Sequence, residues 1–154
     1  MNNKIIAAFP LCGKSHYTKS HEGCLDSDSS NFSWVDKDGK RERNGLFPLN
    51  YVLHILNAAN SPECTHIFIS THNDVLKMLD EMEIEYALVY PPDTSEAKDE
   101  WLKRFDNREF NGFTRETLEN NWEKWHRDME SHAERANVTP VVLNAGQYMS
   151  DVVA

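Results

Sequence analysis

The residues with most chemical potential lie in the first thirty positions. The run Ala8-Phe9-Pro10-Leu11-Cys12-Gly13-Lys14-Ser15 follows the phosphate-binding pattern G-x-x-x-x-G-K-[ST] at every fixed position but the first. The pattern has a physical basis. Backbone N–H groups of a tight loop and of the helix that follows it converge on an anion. Gly13 lets the chain turn and approach closely. Lys14 brings a mobile positive charge to the phosphates, and Ser15 offers a hydroxyl to Mg2+. Pro10, Leu11, Cys12 and His16 complete the cradle of main chain. Ala8 replaces the first glycine; if that position needs a left-handed backbone, alanine costs about 1 kcal/mol. The same stretch holds a weaker alternative in Cys12, His16, His21 and Cys24, residue types that ligate zinc. Its two cysteines would have to clasp across a whole helix, wider than structural zinc pairs.

A second constellation follows in Asp26-Ser27-Asp28. Strand alternation puts the two carboxylates on one side, and ligands of an open parallel sheet bind beyond the carboxyl ends of its strands. One carboxylate beside a phosphate loop suits Mg2+, and the other suits an acceptor hydroxyl that must be oriented or deprotonated. Asp26 is assigned to the metal side with Ser15, and Asp28 to the acceptor side. Further along, Arg41 and Arg43 in Lys-Arg-Glu-Arg are candidates for bidentate contacts to an acceptor phosphate.

These residues need a frame. Apolar strand-like runs at 4–9, 23–26, 65–70, 86–90 and 140–143 alternate with helical patterns, which predicts an α/β fold with a mainly parallel sheet. Pro48 reads as a first-turn proline of a helix reaching Ala59. Asn73 or Asp74 caps a helix with Val75, Leu76, Leu79 and Met82 on one face. Asp93 with Glu96 predicts a cap before Ala97, Trp101, Leu102 and Phe105. Thr114 caps a longer helix whose stripe of Leu118, Trp122, Trp125 and Met129 faces the core. The polar stretch 29–47 reads as a hairpin, with a turn signal at 36–39. The stretch 106–113 reads as a second loop with room for function.

Composition limits the partners. With 154 residues, 40% hydrophobic and 27% charged, the chain is one globular domain rather than a disordered one. The formal net charge of −9 argues against broad nucleic-acid binding and against anionic membranes. No apolar run reaches the ~18 residues of a membrane helix, and Lys14 interrupts the apolar start too early for a signal peptide. The expected location is cytoplasmic. Three cysteines cannot form a self-contained disulfide framework. Nothing in the sequence specifies an oligomeric state.

With Gly13-Lys14-Ser15 and Asp26-Ser27-Asp28 in place, the chain resembles the small P-loop kinases: nucleoside monophosphate kinases, shikimate kinase and polynucleotide kinases. It is also similar to small ATP-binding proteins encoded by bacteriophages and Gram-positive bacteria. The resemblance implies a P-loop NTP hydrolase-like three-layer sandwich whose five-stranded parallel sheet runs in the order 2-3-1-4-5. It implies a single domain over 1–154, with a substrate-covering insertion near 29–47 and a lid near 103–115. The implied activity is Mg·ATP-dependent phosphoryl transfer to a small nucleotide, with Lys14 and Asp28 catalytic. Lid arginines of the family clamp the transferring group; Lys103, Arg104, Arg108 and Arg115 are the matching candidates, with Arg104 and Arg108 taken as catalytic. The adenine-contacting segment of the family falls at 144–147. One departure bears on these expectations. The third strand ends in Ser70-Thr71-His72, without the aspartate of a Walker B strand, and this shifts weight to Asp26. The alternatives are a kinase of a hydroxyl on a nucleic-acid end or modified base, and a nucleotide-binding regulatory protein with little turnover.

Overall fold

The computed structural model describes residues 3–108 and 112–153. Apolar runs become a parallel sheet of β1 (Ile5–Ala8), β2 (Cys24–Asp26), β5 (His66–Ser70), β6 (Tyr86–Tyr90) and β7 (Val138–Val142), with β1, β5 and β6 inside and the more exposed β2 and β7 at the edges. All residues of β1 and β6 are buried, as expected for parallel strands covered on both faces. The remaining strands, β3 (Trp34–Lys37) and β4 (Lys40–Arg43), pair only with each other. The sheet order is β2-β5-β1-β6-β7, all parallel. The expected 2-3-1-4-5 differs from these numbers because the hairpin strands fall between the second and third sheet strands along the chain. They stay out of the sheet because every residue of β4 is charged and exposed.

The helices are α1 (Lys14–Ser20), α2 (Ser30–Ser33), α3 (Leu49–Ala59), α4 (Asn73–Glu81), α5 (Ser95–Asp106), α6 (Arg115–Ala133) and α7 (Met149–Val152). Several starts differ from the sequence expectation by one position. Pro48 is the N-cap of α3 rather than its first-turn residue. His72, not Asn73 or Asp74, caps α4, its ring nitrogen accepting from the Asp74 N–H. Thr94, not Asp93, caps α5 by accepting from the Ala97 N–H at 3.1 Å. Asp93 instead accepts from the Trp122 indole at 3.0 Å. Thr114 caps α6 as expected from its position. The short α2 had no sequence signal. The turn of the hairpin is Asp38-Gly39, with φ of 52° and 77°, the left-handed pair that a tight two-residue connection demands.

The core lies between the sheet and its helices, with Trp101, Trp122, Tyr51, Phe9 and Phe68 among its largest fully buried side chains. A polar cluster is buried within it. The Asp80 carboxylate accepts from Tyr86 Oη and Asn137 Nδ2, each at 2.9 Å, and meets His132 Nδ1. This cluster ties α4, β6 and α6 together. No helix among the described residues is long and apolar enough to cross a membrane.

Candidate phosphate-binding site

The loop between β1 and α1 sits at the carboxyl end of the sheet. Ala8 pairs with Ser70 and Val89 of the flanking strands, so the chain leaves the sheet where three strands end together. Ala8 has ordinary strand geometry and is not among the positive-φ residues, so replacing the pattern's first glycine costs nothing there. The left-handed positions are Leu11, φ 67°, and Gly13, φ 90°. Leu11 bears a strain of about 1 kcal/mol. Gly13 is needed twice over: a Cβ would be strained by its φ and would lie 3.1 Å from Tyr148 Cδ1.

Three side chains converge here. Ser15 Oγ donates to Asp26 Oδ2 at 2.6 Å. Lys14 Nζ lies 3.8 Å from the other carboxylate oxygen, Asp26 Oδ1. A single carboxylate at the end of β2 therefore spans the cation and the hydroxyl that open α1. All three are hard donors or charges of the kind that surround Mg2+ and phosphate. A further oxygen lies at the end of β5: Ser70 Oγ is buried beside the Tyr51 hydroxyl. β5 thus ends in a serine rather than a carboxylate. The donor set fits Mg2+ held by Ser15 and Asp26. Cys12 is buried in the loop, and burial pushes its thiol up to about 12. Cys24 lies against Thr65 and His66, and no zinc-like cluster forms among the described residues.

Asp28 is set apart from Asp26. β2 ends at Asp26, so strand alternation does not reach Asp28; its Oδ1 accepts from the N–H of Ser30, the first residue of α2, at 2.9 Å. The carboxylate is exposed. Between the two aspartates, Ser27 is fixed from below. Tyr51 Oη donates to its carbonyl at 2.7 Å, and its hydroxyl meets His54 Nε2 at 3.0 Å. Burial pushes the Tyr51 phenol up to about 12, so it serves as a donor. Sequence reading missed Tyr51 and His54, which look like ordinary positions of an amphipathic helix.

Arg41 and Arg43 do stand together. Both guanidinium groups lie over the Trp34 ring, at 4.9 and 4.6 Å from its centroid. Neither has an ion-pair partner among the described residues. Beyond the hairpin, Phe47 packs edge-on against His72, which follows β5. Burial, and secondarily the Arg43 charge, hold the His72 imidazole below its ordinary value, against the opposing pull of Asp74.

The lid candidates separate. Arg104 is buried, sandwiched between the Trp101 and Tyr148 rings at 3.9 and 3.8 Å. It donates to the carbonyls of Leu11 at 3.0 Å and Gln147 at 2.6 Å, and pairs with Glu100 at 2.9 Å. Arg104 is thus committed to main chain. Arg115 pairs with Asp106 and Glu119. Lys103 and Arg108 are exposed and line a cleft of about 340 Å3 with Asn107, Leu11, Gly146 and Tyr148. The cleft joins the loop to the 144–147 segment, where the Gly146 N–H is held by Glu100 Oε1 at 2.7 Å. Of the expected lid, 109–111 lie outside the described residues. A larger cleft, about 590 Å3, follows Gly23, Leu25, Ala58 and Cys64 at the opposite, amino end of β2 and β5. No family model matches the sequence, and no curated protein matches it.

Proposed function

We propose that the chain is a Mg·ATP-dependent phosphotransferase of P-loop NTP hydrolase-like architecture that acts on a small nucleotide. The observation that carries this reading is the convergence of Lys14, Ser15 and Asp26 on one strand–helix loop. Lys14 would offset charge on the transferring group, and the loop amides would hold the phosphates in line. Ser15 and Asp26 would hold Mg2+, which supplies further charge neutralisation when bound. Asp28, with one oxygen fixed by Ser30 and the carboxylate open to solvent, would accept the proton of an acceptor group. Arg41 and Arg43, stacked on Trp34 and free of counter-ions among the described residues, suit a phosphate on that acceptor. Lys103, Arg108 and Asn107 border the cleft that would take the base of the donor nucleotide.

The test is ADP production from Mg·ATP with and without a panel of ribo- and deoxyribonucleoside monophosphates. Stimulation by one acceptor, beside a thermal shift with Mg·ATP, is the expected result. A flat panel together with no shift would remove the proposal. A second reading, a nucleotide-binding regulatory protein with little turnover, is favoured by Ser70 at the end of β5, where a second carboxylate is lacking. It predicts the thermal shift without acceptor stimulation.

A further inference from the structure

Four consecutive carbonyls of the loop are hydrogen-bonded, three of them from outside. Pro10 O accepts from the Trp101 indole at 2.8 Å, and Leu11 O from Arg104 Nη1 at 3.0 Å. Cys12 O accepts from the Met149 N–H at 2.8 Å, and Gly13 O from the Tyr17 N–H at 3.0 Å. The last is the first turn of α1. The first three come from elsewhere in the chain: two from α5 and one from the start of α7.

A peptide unit is planar, and in the trans form its C=O and N–H point in opposite directions. Among the described residues the cis bond is Phe47–Pro48, so these loop peptides are trans. A carbonyl held outward therefore turns the next residue's N–H inward. Holding Pro10 O, Leu11 O and Cys12 O aims the amides of Leu11, Cys12 and Gly13 to the other side of the loop. No backbone acceptor meets those three N–H groups among the described residues. Buried or half-buried amides without an acceptor are costly in a folded chain, and an anion satisfies them together.

From this we infer that Trp101 and Arg104 are positioning residues of the phosphate loop, fixing its peptide planes from outside while touching no substrate. The inference rests on the phosphotransferase reading and adds what orients its cradle. Arg104 is well suited to the task. The two flanking rings fix its plane, and Glu100 offsets its charge; their 2.9 Å contact is an ion pair rather than an aligned hydrogen bond. Its second amino group holds Gln147 O, next to the Tyr148 ring that packs on Gly13. The helix that leads into the expected lid is thereby bonded to the loop at two successive peptides.

The experiment is calorimetric binding of Mg·ADP and of inorganic tripolyphosphate to the full chain and to Trp101→Phe and Arg104→Lys. Trp101→Phe keeps a smaller aromatic ring and removes the indole donor, so it carries the test even if Arg104→Lys folds poorly. Both ligands should bind roughly ten-fold more weakly to Trp101→Phe, by a similar factor, because the loss falls on phosphate contacts. Tyr86→Phe, which removes a buried hydrogen bond in the distant Asp80 cluster, should lower the unfolding midpoint and leave both affinities unchanged. If the wild-type chain binds both ligands and Trp101→Phe binds them equally well, the positioning role is overturned and the phosphotransferase reading survives. If Tyr86→Phe weakens both ligands as much as Trp101→Phe, the loss reflects stability alone and the role is likewise overturned. If the wild-type chain binds neither ligand, both fall.

Discussion

Asp26 accepts the hydroxyl of Ser15 at 2.6 Å, and its other oxygen reaches to 3.8 Å from the Lys14 ammonium. One carboxylate from β2 thus holds both side chains that begin α1. Asp26→Asn should raise the Mg2+ concentration required for half-maximal ADP production, because a metal-side charge is lost. A metal titration of the initial rate reads this directly, and a titration identical to wild type would contradict it.

Asp28 faces a different partner, and its substitution should behave differently. Asp28→Asn should lower phosphoryl transfer by ~10²–10⁴, the range of general-base assistance, and leave Mg·ATP affinity nearly unchanged. Rate measurements paired with calorimetry separate the two effects. Full activity with every acceptor tried would leave Asp28 as an acceptor for the Ser30 N–H and nothing more.

Lys14→Ala should reduce turnover by ~10²–10³, the usual loss when one preorganised donor to developing charge is removed. The far-ultraviolet circular dichroism should match wild type, since the side chain is on the first turn of a short helix outside the core. Undiminished turnover would remove the loop from the mechanism.

The Asp80 cluster predicts a stability effect remote from the site. Tyr86→Phe deletes the hydroxyl that donates to Asp80 at 2.9 Å in a fully buried setting. The expected loss is about 1–3 kcal/mol, the penalty for a buried acceptor losing its donor. Urea denaturation should show a lower midpoint with an unchanged slope.

His72 predicts a pH dependence. Its folded value is lowered, chiefly by burial, so the unfolded chain binds a proton first as pH falls. Its contribution to stability is complete above about 6.5 and is lost as pH drops through the lowered folded value. Protonation at Nδ1 would also remove the acceptor that caps α4. His72→Asn keeps a capping acceptor without the titration. The fall in urea midpoint between pH 7.5 and pH 5.5 should be smaller in this variant, and an equal fall would exclude His72 as a source.

Much of this protein was legible along the chain. Apolar runs of strand length, helical stripes such as Leu118, Trp122 and Met129, and the Asp38-Gly39 turn are local patterns with local causes. They fixed the α/β class, the hairpin and the position of the loop at Gly13-Lys14-Ser15. The pairing of Asp26 with that loop was also anticipated, because strand ends of a parallel sheet gather at one edge. Tertiary structure decided which polar atoms find partners. Trp101 and Arg104 read as a core aromatic and a lid cation; only the packing of α5 against the loop brings them to the carbonyls of Pro10 and Leu11. Tyr51, set under Ser27 and beside Ser70, likewise depends on contacts between distant segments. Sequence periodicity records which face of an element is apolar. Which backbone carbonyl a buried donor meets depends on how two elements are set against each other, and that is fixed only when the core closes.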